Sequence, residues 1–547
     1  MPDQPRPPII WSIAGHDSSG GAGLSADQRA ADAMGVHLCP IVASLTAQRS
    51  TGVDAIFPVS PSQLLAQMQA LGEDMSPQVI KTGLLGDVTL INTVAEWVRQ
   101  RRAQQPDLAL VIDPVLGASA GGAAFSNEAV VQAYRRELLP LATLITPNRA
   151  EALRLLGKPA RHDGPADELP QLASLLRAMG AHSVVITGGD APGSTRGADW
   201  AMDWLDTPHA QGWLCSRRVP TRDHHGSGCT FASAAASALA LGHVSADAVV
   251  LAKMLTTQAL RHAHAAGQGP GPVMASAAHA LGPLPYLGIG QDLPWQLTHG
   301  QNQEDGSSTP LFRPFQAPAD GLYGILPDST QLDAAAQAGL RCLQLRHKAR
   351  EGVEAHIDAS TDSCIRHQAL LFINDHWQQA LQRLQQPHLK PGLKLGLHLG
   401  QEDLLSLDLA AREQILSARH DVVLGLSSHS AWELARAAGC GASLIACGPV
   451  MPTTTKDMPW VPQGQDNLRW WVQHSPAPVV AIGGLLSPAN VERFASAQPA
   501  ALCVVRGLGS SASEMAARLP GLQAAVQAGR AQAQPVLPHL SLLHPVL

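Results

Sequence analysis

Short apolar runs, most followed by a segment with helical spacing, recur along the chain. Residues 8–14, 79–81, 108–113, 141–146 and 183–187 read as buried strands, and 25–34, 61–71 and 126–139 as helices among them. Continuous apolar runs separated by helices are the pattern of a mostly parallel sheet covered on both faces. Ala-rich helices are expected at 230–241 and 246–266. From 267 to 316 the periodicity fades and Pro, Gly and Ser accumulate, so 285–316 reads as an extended or flexible linker. Eight further strand candidates follow: 322–326, 342–346, 369–373, 396–399, 422–425, 444–447, 479–482 and 502–505. Helical segments lie between most of them, which is the requirement of a small (β/α)₈ barrel. The expected organisation is an α/β domain at 1–284, the linker, a barrel at 317–528 and a tail at 529–547.

The chain has 547 residues, 45% of them hydrophobic, which is ample for two α/β cores. Its net charge is −6 and no basic block stands out, so no nucleic-acid partner is expected. No apolar run approaches the length of a membrane span, and the first eight residues are polar and Pro-rich, unlike a signal peptide. Eight scattered cysteines lack paired CxxC spacing, which argues against a disulfide framework or zinc site and fits a reducing cytoplasm. Seven lysines stand against 31 arginines, so each Lys is a candidate for a job that needs a compact point charge.

Three segments of the first half carry chemistry. Gly15-His16-Asp17-Ser18-Ser19-Gly20-Gly21-Ala22-Gly23 joins the first strand to a helix, where glycines let backbone N–H groups approach a ligand; a tight turn is the plainer alternative. His225-Gly226-Ser227-Gly228-Cys229-Thr230 runs into an Ala-rich helix, a natural anion hole for a phosphoryl group. Cys229 falls in the first turn, where the helix dipole is expected to lower its pKa, unless it is simply a small buried residue. Asn148 and Glu151, at i and i+3, share a face that suits hydrated Mg²⁺ beside phosphates or merely starts a helix.

In the second half, alternation puts Gln344, Arg346 and Lys348 on one side of a strand exit, where a guanidinium fork and an ammonium suit a diphosphate. Asp375 and Asp403 follow two different strands and offer hard oxygen ligands for Mg²⁺, while His398 reads as a packed or orienting residue. Thr453, Thr454, Thr455 and Lys456 form a hydroxyl-rich segment. Gly483-Gly484 and Val505-Arg506 follow the last two strands, where such barrels often bind phosphate.

The first half, over roughly 9–272, resembles the ribokinase superfamily. Within it, AGHDSSGGAGLSAD, TAQRSTGV, KTGLLG, VIDPVLGASAG, LITPNRAEA and HGSGCTFASA resemble the hydroxymethylpyrimidine/phosphomethylpyrimidine kinases of thiamin biosynthesis. Cys229 carries much of the discrimination, because sugar kinases of the superfamily place Asp there. The resemblance implies a ribokinase-like sheet, ATP as substrate and Mg²⁺. It implies that Asp27, Gln48 and Gly15 hold the aminopyrimidine, that Cys229 activates the substrate oxygen, and that Gly226, Ser227 and Gly228 cradle the γ-phosphate. Asp113, Asn148 and Glu151 would organise Mg·ATP with Lys253 near the phosphates, and a homo-oligomer could form through this domain. Arg49 stands where Asn is usual, Leu84 where Met is common, and Thr187 replaces the Lys of a KGG strand end.

Over about 321–523, QLRHK, FINDHW, HLGQEDL, GLSSHS, GPVMPTTTK and VAIGG resemble thiamine phosphate synthase, a TIM barrel. That resemblance implies that Gln344, Arg346, Lys348, Asn374 and Lys456 hold a pyrimidine diphosphate, that Ser427 touches the leaving group, and that Asp375 and Asp403 bind Mg²⁺. Thr453, Thr454, Thr455, Gly484, Val505 and Arg506 would hold a thiazole phosphate; Arg506 stands where Ser is usual. Together the halves imply a cytoplasmic bifunctional enzyme with small-molecule substrates. A pyridoxal-type kinase for the first half and a non-catalytic sensor for the second are the alternatives.

Overall fold

A computed structural model of the chain describes residues 6–117, 126–161, 168–188, 199–300, 310–349, 351–386, 392–452, 459–532 and 543–547. Contacts divide it into two compact units, essentially Met1–Pro285 and Leu293–Leu537.

The first unit is built on β1 (Ile9–Asp17), β2 (His37–Arg49), β3 (Gly52–Pro58), β4 (Val79–Thr82), β5 (Ala109–Ile112), β6 (Leu144–Ile145), β7 (Val184–Ile186), β8 (Trp200–Asp206) and β9 (Gln211–Arg217). Their order across the sheet is β9-β8-β7-β6-β5-β4-β1-β2-β3. The central pairs are parallel; β2–β3, β7–β8 and β8–β9 are antiparallel. This is the mostly parallel sheet that the apolar runs imply.

The four strands without a sequence signal are β2, β3, β8 and β9. Pro40 and several polar residues break up β2, and Pro40 is tolerated because β3 pairs with β2 only from Ser44 to Arg49, leaving β2 open on that side at Pro40. Asp203 and Asp206 interrupt β8, where they are buried against Lys253 and Arg177. A hydrophobicity pattern cannot anticipate a carboxylate that enters the core with its counter-ion.

The second unit is a closed barrel of eight parallel strands: β10 (Leu322–Leu326), β11 (Cys342–Leu345), β12 (Leu370–Asn374), β13 (Lys394–Leu399), β14 (Val422–Ser428), β15 (Leu444–Cys447), β16 (Val479–Ile482) and β17 (Ala501–Val504). Each runs parallel to its neighbours, and β10 pairs with β17 to close the ring. Together with its helices this is the TIM-barrel architecture. A single buried cluster draws on most strands, with Tyr323, Phe372, Val423, Leu444, Val480 and Ala501 among its members.

The linker expectation needs correction. Trp295 begins a short helix (Trp295–Thr298) and packs against Phe312, ring centroids 6.3 Å apart, with both residues buried. Trp295 and Phe312 offset the ordering cost of the residues around them by leaving water.

Gly396 on β13 faces the Phe372 ring so closely that an added Cβ would lie 2.3 Å from Cδ1. Phe372 also contacts Tyr323 at 5.2 Å and has no room to retreat. Gly396→Ala is expected to destabilise the barrel by about 1–3 kcal/mol through overpacking, read as a lowered urea midpoint.

Candidate active sites

In the first unit, β1 delivers Asp17 to the turn before α1 (Gly23–Met34). The Asp17 carboxylate accepts hydrogen bonds from Ser19 N (2.8 Å), Gly21 N (3.1 Å), Ala22 N (2.8 Å), Ser19 Oγ (2.8 Å) and His225 Nε2 (2.9 Å). Burial alone would raise its pKa, but these bonds, led by His225, hold it well below the usual carboxylate range. The Gly-rich loop is therefore not an open anion cradle. The N–H groups of residues 19, 21 and 22 are already spent on the protein's own carboxylate.

Beneath the loop lies a buried charge cluster. Lys81 of β4 donates to both oxygens of Asp27, each at 2.9 Å, and stands 3.9 Å from Asp113 Oδ2. Ser12 Oγ (2.6 Å) and Ser233 Oγ (2.7 Å) complete the Asp27 shell. Burial disfavours the Lys81 ammonium, yet Asp27, Cys229 and Asp113 more than offset that and raise its pKa above the ordinary value. Asp27 is fully buried with both oxygens bonded to protein donors, so it does not present an edge to a pyrimidine. Lys81 was visible only as one of seven lysines, in an apolar strand, and no role was expected of it.

The helix α2 (Ser227–Ala240) starts from Gly226, whose φ of 82° only glycine adopts cheaply. Cys229 sits beside the Asp113 carboxylate, near enough for each to shift the other's titration. Burial pushes its thiol up to about 12, assisted by Asp113 and Asp27 and opposed by Lys81. The expected dipole-lowered thiolate is thus corrected: desolvation wins, and Cys229 is a protonated donor. Burial likewise raises Asp113 to about 6, and its Oδ2 is a buried acceptor without a hydrogen-bond donor. Gly15 is buried, and Gln48 lies beside His225, with Nε2 to Nε2 at 3.2 Å.

Asn148 and Glu151 cap one another at the start of the helix Arg149–Leu155. Asn148 Oδ1 accepts from Glu151 N, and Glu151 Oε2 accepts from Asn148 N, both at 2.9 Å. They lie near Asp113, since buried Tyr134 feels the charges of both Asp113 and Glu151. Lys253 is committed elsewhere, to Asp203 Oδ2 (2.7 Å) and Ala201 O (3.1 Å), and is buried. Asp203 also accepts from Gly188 N at 3.0 Å, so Lys253 braces the Thr187 strand end instead of facing phosphates.

In the barrel, the polar residues sit at the C-terminal ends of the strands. Asp375, at φ 64°, follows β12 and is close enough to Asp403, in the helix Gln401–Ser406, to feel its charge. Burial and then Asp403 raise the Asp375 pKa, while Lys348 and Arg346 pull it down. Two carboxylates and two cations are thereby brought within electrostatic reach of one another. Gln344 is lower, buried in the core with Nε2 donating to Tyr323 Oη at 2.8 Å, so it does not share an exposed side with Lys348. Asn374 is also buried at the end of β12. Ser427 Oγ lies 2.9 Å from His398 Nε2. Gly484 follows β16, Val505 and exposed Arg506 follow β17, and Thr453, Thr454, Thr455 and Lys456 lie outside the described residues.

The relatives agree with this division. A family profile for phosphomethylpyrimidine kinase matches residues 17–274, and one for thiamine monophosphate synthase matches 326–508. The probable thiamine biosynthetic bifunctional enzyme, chloroplastic, of Oryza sativa subsp. japonica is 31% identical over 492 residues, 87% of this chain and 81% of that protein. The hydroxymethylpyrimidine/phosphomethylpyrimidine kinase of Synechococcus elongatus is 38% identical over 49% of this chain and 96% of its own length. A pyridoxal kinase structure from Staphylococcus aureus with ADP is 27% identical over 50% of this chain and 94% of that one, with a TM-score of 0.45. A chain pairing a kinase fold with a synthase barrel is a bifunctional transferase. It belongs to the family of thiamine biosynthetic bifunctional enzymes. Among the described residues no helix is long and apolar enough to cross a membrane.

Lys81→Met should cost about 3–5 kcal/mol, seen as a lower melting temperature, because it strands the buried Asp27 charge. Adding Asp27→Asn should recover part of that loss. In the barrel, burial and then Arg346 depress His398 from 6.5 to about 4. Unfolded His398 takes up a proton near pH 6.5 and the folded residue refuses it until about pH 4. The contribution is constant above that window and is lost as pH falls through it, by on the order of 3 kcal/mol. Urea midpoints of the barrel from pH 7 to 4 should show this slope, flattened in His398→Gln.

Proposed function

We propose that the first unit uses ATP to phosphorylate 4-amino-5-hydroxymethyl-2-methylpyrimidine and then its monophosphate. The barrel then joins the resulting diphosphate to thiazole phosphate, giving thiamin phosphate and free diphosphate. The observation that carries this reading is the Asp375–Asp403 pair flanked by Arg346 and Lys348 at the strand ends of one barrel. It is joined on the same chain to a helix start, Gly226–Cys229, of the kind that receives a phosphoryl group.

In the kinase, Gly226, Ser227 and Gly228 present the helix N-terminus to the γ-phosphate of ATP. Cys229 is held as a thiol against Asp113, so the pair relays the hydroxyl proton of the pyrimidine toward the carboxylate as oxygen attacks phosphorus. Gln48 reads the pyrimidine edge, a task that buried Asp27 supports from below through Lys81. Asn148 and Glu151 lie on the nucleotide side.

In the synthase, two adjacent carboxylates whose mutual repulsion raises one pKa are a donor set that fits Mg²⁺, which is commonly held by one or two carboxylates plus substrate phosphate. Asp375 and Asp403 would hold the ion, which when bound offsets charge on the diphosphate. Arg346, Lys348 and Lys456 grip the same group, and Ser427 donates to it. As the carbon–oxygen bond to diphosphate breaks, the electron-rich pyrimidine carries the positive charge at its methylene, and the thiazole nitrogen closes on that carbon. Gly484, Val505 and Arg506 hold the thiazole phosphate. Eight unpaired thiols support a reducing compartment such as the cytoplasm.

The pure chain supplied with hydroxymethylpyrimidine, ATP, Mg²⁺ and thiazole phosphate should make thiamin phosphate in one pot; no product would sink the reading. Cys229→Ala should lower phosphorylation by roughly 10²–10³-fold and spare coupling of supplied diphosphate, whereas Asp403→Ala should do the reverse. Pyridoxal offered in place of the pyrimidine tests the other kinase substrate.

A further inference from the structure

The Gly-rich loop and the segment that opens the phosphate hole meet at one imidazole. His225 Nε2 lies 2.9 Å from Asp17 Oδ2 and 3.2 Å from Gln48 Nε2. The two loops touch with no space between them. A Cβ on Gly21 would fall 2.2 Å from His225 Cδ2, and one on Gly226 would fall 2.1 Å from Gly21 O. Arg29 holds the loop from its own helix by donating to Gly20 O (3.0 Å) and Gly21 O (3.3 Å). The backbone of His225 is fixed as well: its N–H donates to Gly271 O at 3.0 Å and its carbonyl accepts from Val273 N at 3.1 Å.

We propose that Asp17 and His225 are a positioning pair for phosphoryl transfer: Asp17 fixes the imidazole, and the imidazole sets both the Gly226 turn ahead of Cys229 and the carboxamide of Gln48. The proposal rests on the assignment of Gly226–Cys229 as the phosphate hole.

The proton arrangement follows from the partners. An ionised Asp17 only accepts, so His225 Nε2 carries the hydrogen between them. Gln48 is held on both sides: its Nε2 lies 3.2 Å from that same ring nitrogen, and its Oε1 accepts from Thr46 Oγ1 at 3.3 Å. The donor and acceptor edge that Gln48 offers a pyrimidine is thus dictated by His225. Because the same residue precedes Gly226, a ligand that engages Gln48 acts on an element shared with the phosphate hole. Neither Asp17 nor His225 needs to touch a substrate.

The test compares His225→Leu with His225→Gln in the full chain. A glutamine amide can reach the Nε2 position and donate to Asp17; leucine cannot. In His225→Leu, kcat for phosphorylation should fall by about 10²-fold with the KM for ATP little changed, as expected when a reacting group is misplaced by an ångström or so. His225→Gln should recover most of the loss. Gly21→Ala, which pushes the ring aside without removing it, should mimic His225→Leu. The double variant Asp17→Asn/His225→Leu should be no slower than the worse single variant, because the pair acts as one unit. Synthase turnover and the melting curve report folding in every variant. Full kcat in folded His225→Leu, equal losses in the Leu and Gln variants, or multiplicative losses in the double variant would each overturn the pair. Cys229→Ala run alongside separates the two levels: retained phosphorylation there means that the phosphate-hole assignment itself is wrong.

Discussion

The Lys81 ammonium, sealed between Asp27 and Asp113, is the charge around which the first unit is arranged. A cation with no access to water must be matched, and its partners come from three separate elements: α1, the exit of β5 and, through Ser233, α2. Those same elements carry the glycine turn and Cys229. The ion cluster therefore ties the end of β1 to the start of α2. Stability and chemistry draw on one set of side chains here.

The barrel solves the opposite problem. Its carboxylates, Asp375 and Asp403, stand together after the strand ends with Lys348 and Arg346 in electrostatic reach. Below them the interior is closed by aromatic and aliphatic packing around Phe372 and by neutral polar pairs such as Gln344–Tyr323 and His398–Ser427. Neutral pairs cost little to bury when each donor finds an acceptor. They give the strand ends a rigid base without adding charge that would compete with the rim.

Much of this was legible in the residue pattern. All eight barrel strands and the central parallel strands of the first unit are continuous apolar runs, and such runs announce themselves. The antiparallel strand β8 did not, because Asp203 and Asp206 enter the core with their cations, and in β9 Gln211, Gly212, Ser216 and Arg217 leave only a three-residue apolar run. The short helix at Trp295–Thr298 and its contact with Phe312 were hidden because both are isolated apolar residues in a Pro-rich context. At the sites, motif segments pointed to particular loops, but the surroundings of single residues needed coordinates. Spacing cannot tell that Asp27 faces inward, that Lys253 is engaged by Asp203, or that desolvation overrides the helix dipole at Cys229.

The carboxylate of Asp17, lodged inside its own loop, has a consequence for traffic through the pocket. A nest of amides left open would be a resting place for inorganic phosphate, for ADP, or for the tail of a finished diphosphate, all of which are abundant wherever such a catalyst works. With that seat filled from within and negatively charged, the turn itself repels other anions. Selectivity against the cell's most common ions is thus written into the backbone of a nine-residue turn before any substrate arrives.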